Sequence, residues 1–212
     1  MRIGKYTRGA LVSLMLGLAW SASAQPLPPI REFYFDTDPA AEAVVVVDAA
    51  AADVVDQLAR QRSRGRRMVE ARVQLANIAA ADNRLELADS LYQEAIASSA
   101  ANSTVGRNVR WNFGWHAFRQ GRLEQAGQAW GQVLEQTRGQ PGWAPPTLAL
   151  LLQARGETAE AVKWFAAAVR TEPQLWADPA NFEQLLPAWL PAERETLRQV
   201  HQASLANPPS WP

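Results

Sequence analysis

Small and bulky residues recur along the middle of the chain at fixed intervals. One copy of the pattern consists of Gly114, Gly121, Ala126, Trp130 and Val133. A second copy lies 35 positions later, at Ala149, Gly156, Ala161, Phe165 and Ala168. A fainter copy lies 38 positions before the first, at Ala76, Asn83, Ala88, Tyr92 and Ala95. A repeat of this length with a turn residue near its middle is typical of stacked helical hairpins.

The pattern also predicts how each hairpin packs. Gly114 and Ala126 lie on either side of the turn at Gly121, so the two helices can approach closely where both side chains are small. Trp130 follows Ala126 by one helical turn and is predicted to fill the space toward the neighbouring hairpin. The fold class predicted is therefore all-α, a short α-solenoid of antiparallel hairpins with flanking segments.

The flanking segments divide the chain further. The sequence predicts helices from Asp53 onward, a short helix after Pro179, and a last helix from Pro191 to about Ala206 that caps the array. Before them, the aromatic residues 33–35 and the valines 44–47 fit either a helix begun at Asp38 or a small hairpin. The predicted parts are a signal peptide over 1–24, an extended or weakly structured leader over 25–52, repeats over 53–175, capping helices over 176–206 and a disordered tail over 207–212.

The first residues have the layout of a secretory signal peptide. An apolar run from Ala10 to Trp20 follows three basic residues and precedes an A-x-A cleavage site that ends at Ala24. As a helix, the run would span about 16 Å, against about 30 Å for a bilayer core. We therefore expect a periplasmic protein that begins at Gln25 and touches the membrane only if the signal segment is not cleaved.

Composition narrows the classes of function. Without the signal peptide the chain has 18 Lys and Arg against 21 Asp and Glu, a balance that does not favour a nucleic-acid binder. The chain has no cysteine, which excludes disulfides and thiol catalysis. No sequence motif for a metal, a nucleotide or a catalytic nucleophile is present, so we expect no cofactor, no metal and no enzyme activity. Asp36 and Asp38 could bind a hard cation, but a capping or turn role is favoured.

An arginine cluster and an aromatic stripe each allow two interpretations. The arginines between Arg60 and Arg72 could bind an anionic partner or could be a solvated face paired with nearby acids. Trp111, Trp115 and Phe118 share one helical face. Either this stripe is open to a partner, or the segment before Val69 folds back and buries it.

The second full copy resembles the tetratricopeptide repeat family, and the resemblance extends from Val69 to about Leu175. The matching residues are Leu148, Ala149, Gly156, Ala161, Phe165, Ala168 and Pro173. In that family, the first helix of each hairpin lines a groove that binds peptides. The resemblance therefore implies a partner-binding groove at Asn77, Asn108, Trp111, Trp115, Phe118, Trp143, Leu150 and Gln153.

The resemblance also bears on the type of ligand. Asn77 and Asn112 match two positions of the family's clamp for a peptide carboxylate, but its basic positions hold Val73, Trp143 and Thr147. We therefore expect no such clamp. The function predicted is a non-catalytic interaction module that binds a peptide segment or a partner helix. The alternatives are a carbohydrate or peptidoglycan binder that uses Trp rings as platforms, and a cell-wall hydrolase with scattered carboxylates.

Overall fold

The computed structural model describes residues 27–210, so the signal peptide predicted over 1–24 lies outside the described residues. The described part is all-α and forms no strand, as the sequence predicts. None of its helices is both long enough and apolar enough to cross a bilayer. The α-helices are α1 Val54–Arg64, α2 Met68–Ala81, α3 Leu85–Ala97, α4 Thr104–Arg119, α5 Leu123–Gln136, α6 Ala144–Ala154, α7 Thr158–Thr171, α8 Pro173–Trp176, α9 Phe182–Leu185 and α10 Pro191–Ala206, with a 3-10 helix at Pro179–Asn181.

The helices pack as consecutive hairpins, α2 with α3, α4 with α5, and α6 with α7. The turn residues of the repeat lie between the paired helices, and all three have a positive φ: 58° at Asn83, 70° at Gly121 and 80° at Gly156. Glycine and asparagine tolerate this left-handed conformation better than other residues do. The prediction of stacked hairpins with a turn residue in the middle of each copy is thus confirmed.

Close packing inside the central hairpin depends on Gly114. A Cβ atom at this position would lie 2.2 Å from Nε1 of Trp130, whose side chain is fully buried. Trp130 donates its indole hydrogen to the carbonyl of Trp111 over 3.3 Å, and the rings around it belong to Trp111, Trp115 and Phe118 of α4. The prediction that Trp130 faces the neighbouring hairpin is therefore wrong. The missing side chain at Gly114 lets Trp130 fill its own hairpin instead.

The other two aromatic residues of the pattern do reach beyond their hairpins. The ring of Tyr92 stacks on His116 of α4 at 5.0 Å. Phe165 of α7 meets Phe182 at 6.0 Å and His201 of α10 at 5.8 Å. The aromatic position of the repeat therefore links successive elements at both ends of the array.

The last helix packs against both α6 and α7. It begins at Pro191, as the sequence predicts, and buries Leu197 and Val200. Leu205 is 68% exposed, because it lies eight residues from Leu197 and about 80° away around the helix axis. Glu193 is buried, since it pairs with Arg119 of α4 at 2.8 Å.

Residues 34–47 form a segment outside the helices that we call the strap, with a turn at residues 38–41 where the amide of Ala41 donates to the carbonyl of Asp38 over 3.0 Å. It is neither the helix nor the hairpin that the sequence allowed. The strap begins at α7, where the amide of Tyr34 donates to Oγ1 of Thr171 over 3.1 Å, and pairs with the α5–α6 loop through Asp36 and Gln140. It then crosses α4 and reaches α2. Four of its side chains, Tyr34, Ala40, Val44 and Val47, are buried in the protein core.

The contact between Gly114 and Trp130 gives a prediction about stability. Gly114→Ala should lower the free energy of unfolding by about 1–3 kcal/mol, because the added methyl group overlaps the buried indole. The matched control is Gly131→Ala in α5, whose new Cβ would have only Leu27 Cδ2 nearby, at 4.0 Å. That change should stabilise by about 0.5–1 kcal/mol, since alanine is the better helix former. Denaturant unfolding of both variants measures the difference, and equal effects would contradict the packing described.

Candidate functional site

Two asparagines of α4 bind the backbone of the strap. Nδ2 of Asn108 donates to the carbonyls of Ala40 and Glu42 over 2.9 and 2.8 Å. Asn112 donates to the carbonyl of Glu42 over 2.9 Å and accepts from the amide of Val44 over 3.3 Å. The side chains of α4 therefore bind the backbone carbonyl and amide groups of the strap, which every peptide possesses.

Gln74 of α2 holds the next part of the strap in the same way. Its Oε1 accepts from the amides of Val46 and Val47 over 2.6 and 3.0 Å, and its Nε2 donates to the carbonyl of Val47 over 2.6 Å. Gln74 and Asn112 are 38 residues apart, which is the offset between the first two copies of the repeat. Sequence reasoning missed Gln74, although the recurrence of an amide at one repeat position was a signal that could have found it.

Asp38 anchors the middle of the strap. Its Oδ2 accepts from Nε1 of Trp143 over 3.2 Å and from Oγ1 of Thr137 over 3.1 Å. Its Oδ1 accepts from the amide of Ala40, which is a turn role of the kind that the sequence favoured, and lies 3.6 Å from Nη2 of Arg107. The side chain of Asp38 is only 1% exposed, so these donors replace water around the carboxylate.

A pocket of about 580 Å³ lies beside the strap, between α2, α4 and the loop before α10. Trp111 and Asn112 form its base, and the strap contributes Ala41 and Ala43. The remaining walls consist of Asn77, Ala80, Ala81, Trp115, His116, Arg119, Gln120, Leu185, Leu186, Pro187, Ala188 and Trp189. Trp189 and the polar end of α4 were missed by sequence reasoning, because they lie far apart along the chain and follow no repeat.

The predicted groove residues have three different environments. Asn77, Trp111 and Trp115 line the pocket, whereas Asn108 and Trp143 bind the strap. Phe118 is half-buried against Trp115 and Trp130. Gln153 is half-buried, and its Oε1 is enclosed without a hydrogen-bond partner among the described residues. Leu150 is not in a groove, because α6 is enclosed by its neighbouring helices and every residue from Ala144 to Leu152 is buried.

The aromatic stripe is only partly covered. Trp111 is only 7% exposed, with the ring of Trp143 at 4.6 Å. Trp115 is half-buried, lies 5.2 Å from the ring of Trp189, and has the guanidinium of Arg119 over its face, also at 5.2 Å. The covering rings come from the α5–α6 loop and from the loop before α10. The structure matches neither alternative in full, because these elements, and not the segment before Val69, supply the rings that cover the stripe, while Trp111 and Trp115 still line the pocket.

Arg119 fixes the wall of the pocket. Its guanidinium donates to both carboxylate oxygens of Glu193, over 2.8 and 3.2 Å, and to the carbonyl of Ala188 over 3.3 Å. Two parallel bonds of this kind restrict geometry more than a single ion pair does. Arg119 therefore holds the loop that carries Trp189 against α4.

A charged cluster lies behind the pocket. His116 lines the pocket, and its Nε2 lies 2.8 Å from Oδ1 of Asp89 in α3. Arg122 donates to both oxygens of the same carboxylate, over 3.2 and 2.7 Å. Burial alone would raise the pKa of Asp89, but the bonds from Arg122 and His116 outweigh it and hold this pKa below its ordinary value. The cluster ties α3 to the second hairpin.

The lining of the pocket is suited to binding. Among the described residues that line it there is no Ser, Thr, Cys, Asp or Glu, and His116 already pairs with Asp89. No group of His, Cys, Asp and Glu side chains that could hold a metal ion occurs within residues 27–210. What the pocket offers is indole surface, amide groups and one guanidinium.

Comparison with known proteins adds no family assignment. No family model matches the chain, no curated protein matches it, and no solved structure matches it.

The position of Asp89 predicts a pH-dependent contribution to stability. Because its pKa is lowered by folding, the ionised carboxylate stabilises the protein above the ordinary pKa of about 3.9, and this contribution is lost as the pH falls through the lower pKa of the folded state. Asp89→Asn should therefore destabilise the protein at pH 7 and have little effect in strong acid. The control is Glu86→Gln, an exposed residue of the same helix. The free energy of unfolding is measured from pH 7 downward for each variant and for the unchanged protein. The difference between Asp89→Asn and the unchanged protein should disappear in acid, whereas the difference for Glu86→Gln should not change. A difference for Asp89→Asn that stays constant with pH would contradict the assignment.

Proposed function

We propose that the protein is a non-catalytic interaction module of the bacterial periplasm that binds a peptide segment of a partner protein. The single observation that carries the proposal is the bound state of the strap. Amide side chains of two successive hairpins, Gln74, Asn108 and Asn112, hold an extended segment by its backbone. Recognition of backbone groups gives affinity for extended peptides, while adjacent pockets give specificity.

The partner segment binds in the pocket beside the strap. Nδ2 of Asn77 has no hydrogen-bond partner among the described residues, because only its Oδ1 is engaged, by the hydroxyl of Tyr92. Gln120 is exposed and also lines the pocket, and its side-chain amide likewise has no hydrogen-bond partner in residues 27–210. Such free amides beside Trp115 and Trp189 suit a segment that inserts an apolar side chain and pairs its backbone at the rim.

The same geometry disfavours the carbohydrate alternative. A sugar platform needs an open indole face. The rings of Trp111 and Trp189 are 7% and 8% exposed, and a face of Trp115 is covered by Arg119. The small indole area that remains suits an apolar side chain better than a sugar ring.

The repeat and the first residues of the chain support the remaining parts of the proposal. The three hairpins carry the small, turn and aromatic positions on which the resemblance to the tetratricopeptide repeat family rests, and we infer that the array is a divergent relative of it. The basic residues, short apolar run and cleavage site before Gln25 support export to the periplasm. The protein acts as a scaffold in the cell envelope and needs no cofactor.

Filling the pocket tests the proposal. Ala43 is exposed and lines the pocket, so Ala43→Trp should occupy part of the space while changing stability by less than about 0.5 kcal/mol. The matched control, Ala49→Trp, places the same side chain at an exposed position that does not line the pocket. A random-peptide phage library is panned on the unchanged protein, and the selected peptides are then measured on both variants.

We expect peptides that bind the unchanged protein and Ala49→Trp with similar affinity and bind Ala43→Trp at least about tenfold more weakly, a loss of about 1.4 kcal/mol. The proposal fails if the library yields no binder. It also fails if the selected peptides bind Ala43→Trp as well as they bind the control.

A further inference from the structure

The strap resembles a bound ligand more than a structural element of the array. It contributes no helix, and the three hairpins pack through their own helices. Its hydrogen bonds with α2 and α4 run from side-chain amides to its backbone, and the ion pair of Asp38 with Arg107 is a contact between side chains. Its outward side chains include two large apolar groups that remain in solvent, Phe35 at 65% and Val45 at 60% exposed.

The buried positions of the strap restrict the side chain: Tyr34 and Val47 lie at its two ends, and three more lie on the stretch that crosses α4. The first is Asp38, whose carboxylate meets the indole of Trp143 and the hydroxyl of Thr137. The second is Ala40, which is fully buried and leaves room only for a small residue. The third is Val44, which is 6% exposed. The surface therefore selects a carboxylate, then a small residue two positions later, then an apolar residue four positions after that.

Arg107 shows that the strap uses this site incompletely. The side chain of Arg107 is 15% exposed, and its contact with Asp38 is a single one at 3.6 Å, too long for a hydrogen bond. Its Nε is buried and has no hydrogen-bond partner. A buried donor without a partner is costly, and an arginine can bind a carboxylate through two parallel bonds. A carboxylate that lies slightly closer to Arg107 than that of Asp38 would accept two parallel bonds from the guanidinium and would give the Nε donor a partner.

We propose that the surface beneath the strap is a second peptide-binding site, and that the strap is a ligand that another peptide can replace. The site binds extended segments whose Asp or Glu side chain lies opposite Arg107. The proposal rests on the proposed function only in treating the protein as a peptide binder. The pocket beside the strap and the surface beneath it share Asn112, whereas Arg107, Asn108 and Trp143 belong to the surface beneath the strap alone. A partner with this pattern would displace the strap and take over its bonds to Asn108 and Asn112.

Exchange must overcome the advantage of a tethered occupant. A segment joined by a short linker competes at an effective concentration in the millimolar range. A free peptide therefore binds measurably only if it is tighter than the strap or if the strap is weakened. Asp38→Asn weakens the strap in the full-length protein, because it removes the charge opposite Arg107 while it retains the shape of the side chain.

The test is complementation of this variant by free peptides. A fluorescent peptide with the sequence of residues 33–47 is titrated into full-length Asp38→Asn protein, and its anisotropy is recorded. Two further peptides lose one negative charge each: one carries Asp38→Asn, the other Glu42→Gln at an exposed position of the strap. We expect the unchanged and Glu42→Gln peptides to bind alike, and the Asp38→Asn peptide to bind more than about tenfold more weakly, as loss of a charge-assisted bond implies.

Absence of binding by the unchanged peptide at millimolar concentration would overturn the proposal. Equal binding of all three peptides would overturn the selection of a carboxylate. Both outcomes leave the phage-library experiment intact, because that experiment keeps the strap in place and probes the pocket beside it.

A covalent lock provides a second measurement. A Cβ at Gly139 would lie 3.5 Å from the Cβ of Asp36, within the range of about 3.5–4.5 Å found in disulfides. Because Gly139 has a φ of 90°, a cysteine there is strained, so denaturant unfolding of the reduced variant must first show that it folds. The chain has no cysteine of its own, so Asp36→Cys with Gly139→Cys, added to Asp38→Asn, can form only this bridge within the molecule. We expect the oxidised protein not to bind the unchanged peptide and a reductant to restore binding. Equal binding before and after reduction would show that the peptide does not replace the strap.

Discussion

The packing of Trp130 into the space left by Gly114 is the contact on which the rest of the structure depends. It brings α4 and α5 together and places Trp130 beneath Trp111 and Trp115. From these two rings the cluster extends outward, through Trp111 to Trp143 and through Trp115 to Trp189. A larger residue at position 114 would shift all of them, because close-packed interiors transmit small displacements.

The tryptophan cluster also determines which surfaces face the strap and the pocket. Trp143 donates to Asp38 while its ring packs on Trp111, so the anchor of the strap is built on the same cluster. Trp189 lies on the loop that Arg119 holds through Glu193, so the pocket has a rigid wall opposite the strap. The site is thus supported by buried rings on one side and by paired charges on the other.

Buried polar groups in this protein are satisfied mostly by contacts between elements distant in sequence. Gln74, Asn108 and Asn112 bind a segment that lies outside the repeats, and Asp89 of one hairpin pairs with His116 and Arg122 of the next. An amide enclosed without such partners would cost about 1–3 kcal/mol. The strap is therefore a requirement of this surface, and removing it demands a replacement that offers the same backbone groups.

The sequence by itself determined the hairpins, because their signals are local. Each repeat is specified by residues within it: the small and bulky residues from Gly114 to Trp130, and a turn residue at Asn83, Gly121 or Gly156. Pro191 starts the last helix whatever that helix packs against. Only the tertiary structure decided the path of the strap and the pocket. An extended segment has no periodicity that names its partner, and Tyr34 meets Thr171 across 137 positions of the chain. Which face of a helix is buried depends on such long-range contacts. The spacing therefore identifies the aromatic stripe, but it does not tell which elements cover the stripe.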